Sequence, residues 1–132
     1  MKERLNSSTP YILSIVRFVI GALFLSHGID KVTNGMLTGH PLPPMPLLHV
    51  AGYIELTGGA LITVGLLTRL ASFICCGEMA VAYFMAHAPH GFLPIVNHGE
   101  LAVLYCFSFL LFVVTGPGAI SIDALLLERS SQ

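Results

Sequence analysis

The sequence predicts an all-α protein, an integral membrane four-helix bundle with a short C-terminal interfacial helix. Two features of the composition indicate this class: 55% of the 132 residues are hydrophobic and only 10% are charged, against about 25% charged residues in ordinary soluble domains. The third indication is a series of four apolar stretches separated by short polar or Pro/Gly-rich connections. A chain of this length is expected to form a single domain, residues 1–132.

The first span is predicted at residues 11–29, where an apolar run follows a short polar head. No signal-peptide cleavage site follows this run, and Arg17 interrupts it, so we expect it to be retained. The next segment, residues 30–46, is rich in Pro and Gly, which predicts a loop.

The second span is predicted at residues 47–67 and carries one acidic residue, Glu55. At helical spacing Gly52, Glu55, Gly59 and Thr63 share one face. Small residues let a neighbouring backbone approach closely, so this face is expected to meet other helices. Glu55 should therefore point into the bundle.

The third span is predicted at residues 70–87, after a very tight turn at Arg69, and places Glu78 on a stripe of small residues. The fourth is predicted at residues 100–115 and should end at the Gly-Pro-Gly sequence that follows. Either Ser121 or Asp123 is expected to cap the short interfacial helix.

Four spans place both chain termini on one side of the membrane. That side carries four basic residues, whereas the opposite loops hold only Lys31. By the positive-inside rule, both termini are predicted to be cytoplasmic. The basic residues on the terminal side are Lys2, Arg4, Arg69 and Arg129.

Composition and spacing also argue against several functions. The net charge of −1 provides no basic surface for nucleic acid. The three cysteines lie in apolar segments without a C-x-x-C pair, so we interpret them as small buried hydrophobes and not as a disulfide framework or thiol-redox motif.

Three ionisable residues, Arg17, Glu55 and Glu78, are predicted to share the middle layer of the bundle and to form a catalytic, proton-handling core. Charged groups inside a membrane are costly, so they mark candidate functional sites. We expect Arg17 to pair with one glutamate, while the other is protonated or hydrogen-bonded to a Tyr or His. The alternative is that Arg17 snorkels to the interface and the pair is only a packing lock.

A second set of polar residues is predicted near the opposite ends of the helices, where it would bind the substrate. Histidine titrates near neutral pH, so His and Glu side chains there would suit the protons of a lipid-soluble quinone. No metal is expected, because no H-x-x-H or H-E-x-x-H spacing occurs. The set consists of His27, Lys31, His87, His98 and Glu100.

A plainer interpretation of these residues also stands. The histidines would be interfacial and satisfied by water and helix ends. Asn97 would cap the fourth span, with Glu100 three residues later completing a capping box.

Several short patterns occur in a fixed order along most of the chain. They are HGxxK (residues 27–31), ExxGGxL (55–61), GxxTR (65–69), AxxxxH (82–87), NHGELA (97–102) and TGPGxxSxD (115–123). In the identity and order of these patterns, the sequence resembles the DoxX family of small four-helix bacterial inner-membrane proteins, from about residue 11 to residue 123. The resemblance draws attention to Arg17, His27, Lys31, Glu55, Arg69, His87, Glu100 and Asp123, and it implies that Gly58, Gly59 and Arg69 are architectural.

The resemblance implies a redox-associated protein of the bacterial inner membrane, because some relatives are subunits of a thiosulfate:quinone oxidoreductase. The leading hypothesis is a protein that engages a quinone or similar lipid-soluble substrate, with a soluble oxidoreductase partner supplying electrons; whether it is itself an enzyme is left open. One alternative is a non-catalytic membrane anchor for such an oxidoreductase. Another is a small transporter, which would require a homo-oligomer, since four spans are few for a pore.

Overall fold

The computed structural model describes residues 2–130, which form helices and connecting turns. The helices are α1 (Lys2–Val32), α2 (Pro46–Val64), α3 (Thr68–Ala82), the short α4 (Pro94–Asn97), α5 (Glu100–Thr115) and α6 (Ile122–Ser130). Helix α3 continues into a π-helical turn, Tyr83–His87, and a 3-10 turn, Ala88–His90. The all-α class is confirmed.

Three of these helical segments are long and apolar enough to cross a membrane: Asn6–Val32, Pro46–Val64 and Thr68–His90. The fourth predicted span corresponds to α5, which is apolar but has only 16 residues. At 1.5 Å per residue it is about 24 Å long, somewhat less than the roughly 30 Å hydrocarbon core. Within residues 2–130, three helices are thus long enough to span the hydrocarbon core, and one apolar helix is shorter.

The helix boundaries differ from the predicted ones mainly at the polar ends. Helix α1 begins at Lys2, so the predicted polar head continues the helix. Helix α2 ends at Val64, because Gly65 adopts a left-handed conformation (φ 72°) that terminates it. Consequently the tight turn comprises residues 65–67, and α3 already starts at Thr68 instead of after Arg69.

Helices α1 and α2 form the closest pair in the bundle. A Cβ atom on Gly59 of α2 would lie 2.6 Å from the backbone nitrogen of Leu25 on α1, and one on Gly28 of α1 would overlap the backbone of Leu56. Larger residues would separate the two helices. The predicted inward orientation of the Gly52–Glu55–Gly59 face is confirmed, since all three residues are buried.

Helices α3 and α5 form the second pair, and α1 reaches α5 through aromatic rings. The Phe24 ring lies 4.7 Å from that of Phe109 and 5.1 Å from that of Tyr105, measured between centroids. Large apolar side chains such as Phe18, Phe73 and Phe107 face outward. An apolar exterior around a small aromatic core is the arrangement expected of a bundle surrounded by lipid.

We call the end of the bundle where α1 ends and α2 begins the proline end, and the opposite end the terminal end. At the terminal end Ser121 caps α6, since its Oγ accepts a hydrogen bond from the Ala124 amide at 3.1 Å. Asp123, the other predicted cap of α6, instead accepts hydrogen bonds from the amides of Leu67 (2.8 Å) and Thr68 (2.9 Å). It therefore caps α3, a role that depends on tertiary contact between segments 55 residues apart in the chain.

Candidate ligand cavity and its buried charges

A cavity of about 590 Å³ lies between the α1–α2 pair and the α3–α5 pair, toward the proline end. This volume is within the range of small-molecule and cofactor sites. Most of its lining is apolar, and the polar exceptions include six of the eight predicted site residues. These are His27, Lys31, Glu55, Glu78, His87 and His98.

The polar wall of the cavity is organised around Glu55, which is 2% exposed. It lies nine residues into α2, at about 14 Å from the start of that helix. Lys31, in the last turn of α1, places its Nζ 2.5 Å from Glu55 Oε1. The pair forms because Gly28 and Gly52 bring the two helices close enough for the Lys31 stem to reach across. The other oxygen, Oε2, has no hydrogen-bond partner within the described part of the chain.

Glu78 faces this ion pair from α3. Both of its carboxylate oxygens are buried without a donor among the described groups. Its electrostatic neighbours are Glu55 and Lys31. One proton shared by the two carboxyls, together with the Lys31 ammonium, would make the cluster electrically neutral, as a low-dielectric site requires.

The histidines approach the same cavity from three different segments. The His27 ring meets that of Tyr105 edge-on, with centroids 6.0 Å apart. His87 stacks on Tyr83 and places Nδ1 3.1 Å from the Asn97 backbone oxygen. His98 follows α4 in a left-handed conformation (φ 58°). The sequence left open whether these side chains converge, and the structure brings all three to the cavity lining.

The connection between α3 and α5 is held in place by Asn97. Its Nδ2 donates to the Tyr83 hydroxyl (3.2 Å) and to the Gly91 carbonyl (2.6 Å), while its Oδ1 accepts from the Gly99 amide (2.8 Å). The Tyr83 hydroxyl in turn donates to the Phe92 carbonyl. Asn97 thus fixes the positions of His87 and His98 and, through them, this side of the cavity.

Tyr105 is a lining residue that the sequence analysis did not single out. It belongs to the cavity wall with Phe24, and it is an electrostatic neighbour of Glu55. A signal was present: His98, Ala102 and Tyr105 are spaced by four and three residues, as on one face of a helix. The pattern was missed because an aromatic residue in an apolar helix is usually core.

The predicted pairing of Arg17 with a glutamate is wrong. Arg17 is 3% exposed and lies at the terminal end, where it donates hydrogen bonds of 2.5–2.8 Å to four backbone carbonyls. Its acidic neighbour is Asp123, not a glutamate within a span. The last carbonyls of a helix lack intrahelical partners, and Arg17 satisfies two of them on α2. The four acceptors are Ile62, Thr63, Pro117 and Ile120.

Glu100 is the second predicted site residue that does not line the cavity. It is exposed in the first turn of α5. The capping box proposed for it is also absent, because the N-cap of α5 is Gly99 and makes no side-chain cap hydrogen bond. Asn97 belongs to α4 and is occupied with Tyr83, Gly91 and Gly99.

Known proteins with similar sequences are membrane proteins or have no assigned function. The DoxX family model matches residues 12–88. An uncharacterized protein of Haemophilus influenzae is 44% identical over 127 residues, covering 92% of this chain and 95% of its own length. The inner membrane protein YqjF of Escherichia coli is 31% identical over 121 residues, covering 87% of this chain and 92% of its own length. The uncharacterized membrane protein Rv3486 of Mycobacterium tuberculosis is 28% identical over 146 residues, covering 96% of this chain and 88% of its own length. No solved structure matches.

Proposed function

This chain belongs to the DoxX family, and we propose that it binds a quinone or similar lipid-soluble carbonyl compound in the cavity and exchanges protons with it as part of a redox system. The observation that carries the proposal is the Lys31–Glu55–Glu78 cluster on the wall of an otherwise apolar cavity. A buried carboxyl without a protein donor is costly unless a ligand or a proton completes it.

The route of entry favours a ligand that is dissolved in the bilayer. Apolar residues on the α2 and α3 sides of the cavity, such as Val50, Ile74 and Val81, are also exposed on the outer surface of the bundle. The cavity therefore opens sideways between these helices at membrane depth. A compound with a flat polar head and an apolar tail would enter from lipid and turn its carbonyl oxygen toward the cluster.

The cluster has the groups that quinone reduction needs from a protein. Conversion of a quinone to a quinol consumes two electrons and two protons. The proton shared by Glu55 and Glu78 would supply one, and a lining histidine such as His87 would supply or relay the other. The Lys31 ammonium would stabilise the negative charge that remains on the two carboxylates after this proton is transferred. The electrons would come from a soluble oxidoreductase partner.

Two predicted members of the site receive other roles. The carbonyl contacts of Arg17 favour a structural function, and the exposed position of Glu100 leaves it outside ligand contact. The inner membrane as location is part of this proposal, supported by the likeness to the inner membrane protein YqjF. Cytoplasmic termini are also part of it and rest on the distribution of basic residues. A homo-oligomer stays a prediction.

The test is to fill the cavity without disturbing the packing. Gly77 lines the cavity, and a Cβ there would meet nothing within 4 Å. We expect Gly77→Trp to weaken the binding of a short-chain quinone to the detergent-purified protein at least tenfold, measured by titration. Ala60→Trp is the matched control, since Ala60 is an exposed α2 residue outside the cavity lining, and it should bind as wild type does.

The alternatives give different results in the same titration. A pure membrane anchor shows no saturable quinone binding in the wild-type chain, and that result would refute the proposal. A transporter predicts uptake of a water-soluble solute into liposomes that hold the chain, with no quinone effect. Equal quinone affinity in Gly77→Trp and wild type would place any binding outside this cavity.

A further inference from the structure

Two cysteines of different helices touch in this structure. Cys76 of α3 and Cys106 of α5 place their Sγ atoms 3.6 Å apart. Both are free thiols and both are half-buried. They lie outside the lining of the cavity, so the proposed function does not use them. The sequence indicated no such pair, because 30 residues separate them and no C-x-x-C spacing occurs.

We propose that Cys76 and Cys106 form a reversible disulfide that ties α3 to α5, with a lipid-soluble quinone as the electron acceptor. A disulfide bond is about 2.05 Å long, so the two sulfurs must approach by about 1.5 Å. Small rotations of two side chains on helices that already pack together supply this movement. The third thiol, Cys75, is fully buried and faces Gly58 of α2 instead.

The step balances with a quinone as oxidant. The two S–H bonds break, one S–S bond forms, and two electrons and two protons pass to the quinone, which becomes a quinol. The choice of quinone rests on the proposed function, whereas the pairing of the thiols rests on their contact alone. The half-buried position of both sulfurs leaves them within reach of an oxidant that is dissolved in lipid.

Such a bond would act directly on the cavity wall. Cys76 is followed by Gly77 and Glu78, and Cys106 is preceded by Tyr105. Those three neighbours line the cavity. Bridging α3 to α5 at this level would therefore restrict the movement of Glu78 relative to Tyr105 and link the thiol state to ligand binding.

The experiment counts free thiols before and after oxidation. The purified full chain is incubated with a fully substituted short-chain quinone, denatured, and labelled with a polyethylene-glycol maleimide. Of the three cysteines, we expect three labels before treatment and one afterwards. Dithiothreitol should restore all three, and one quinol should form per bridged chain.

Single variants identify the pair. The Cys75→Ser variant should carry two labels before oxidation and none afterwards. The Cys76→Ser and Cys106→Ser variants should carry two labels both before and after oxidation. Three labels in the wild type after both the quinone and diamide, an oxidant that needs no binding site, would overturn the pair. Bridging by diamide but not by quinone would overturn the quinone step. Failure of the cavity proposal is separate, since only the Gly77→Trp titration reports it.

Discussion

At the terminal end of the bundle a buried cation, Arg17, donates to four backbone carbonyls. At the cavity another cation, Lys31, meets one of four carboxylate oxygens, and the other three have no donor among the residues that the structure describes. The two regions lie in the same bundle and bury similar groups. In the first, the Arg17 guanidinium and its carbonyl acceptors satisfy one another within the fold. In the second, carboxylate oxygens are left for a proton or a ligand.

This contrast separates structural from functional charge in a membrane protein. A buried polar group that is fully hydrogen-bonded stabilises one arrangement of the chain. A buried carboxyl without a donor costs stability and is retained where chemistry needs it. Intramembrane charge alone, which drew attention to Arg17 and Glu78 equally, does not distinguish the two cases.

The largest effect is expected for Arg17→Ala. The substitution removes hydrogen bonds to four backbone carbonyls, of which that of Ile62 keeps the Gly65 amide as a donor. It also opens a cavity at the junction of α1, α2 and the loop after α5. We expect the free energy of unfolding to fall by about 3–5 kcal/mol, measured by denaturant titration in detergent. Quinone affinity in the folded fraction should stay within about threefold of wild type.

Arg69→Ala is the matched control for this prediction. Arg69 also donates to carbonyls at a helix end, those of Val113 and Val114 on α5, but it is exposed. Water can replace its hydrogen bonds, so the loss of stability should be clearly smaller. Equal losses for both arginines would mean that burial does not determine the strength of the contact.

Glu78→Gln should have the opposite effect to Arg17→Ala: the stability of the fold should be kept and proton transfer to quinone should be lost. The amide keeps the size of the carboxyl and removes a buried ionisable group, so we expect the melting temperature to be unchanged or raised by about 3 °C. Proton transfer to bound quinone should slow by about 100-fold, measured by stopped-flow reduction with dithionite at quinone concentrations below that of the protein.

Glu55→Gln and Glu100→Gln complete this test. Glu55→Gln should slow the same step, because Glu55 shares the proton in question. Glu100→Gln should have no effect, since its carboxylate is exposed outside the cavity. If Glu78→Gln reduces quinone at the wild-type rate, the unsatisfied carboxyl has no role in proton transfer.

Asp123→Ala is expected to have a smaller effect than Arg17→Ala or Glu78→Gln. This change removes the two hydrogen bonds that cap α3 and should cost about 1–2 kcal/mol in unfolding free energy. Asp123→Asn keeps one acceptor oxygen and should cost less than half of that. A cost equal to that of Arg17→Ala would show that the cap contributes as much as the arginine to the stability of the terminal end.

Much of the fold followed from local pattern. Apolar stretches of the right length predicted the helices, and the Gly52–Glu55–Gly59 spacing predicted which face of α2 is buried, because helical periodicity is a local property. Helix ends were less accurate. The cap that Asp123 provides for α3 depends on a contact with the segment after α5, which no local pattern encodes.

The sequence by itself determined that this is a helical membrane protein, because hydropathy is a property of each residue. It also marked the charged residues within the spans as candidates for function, because the free-energy cost of burying a charge likewise depends on the residue itself. The tertiary structure alone decided which charges meet. In the folded chain Lys31 forms an ion pair with Glu55, and Glu78 lies beside them. Arg17 instead donates to backbone carbonyls at the opposite end of the bundle. Ion pairs between helices depend on their relative rotation and depth, and glycines such as Gly28 and Gly59 set these through close packing.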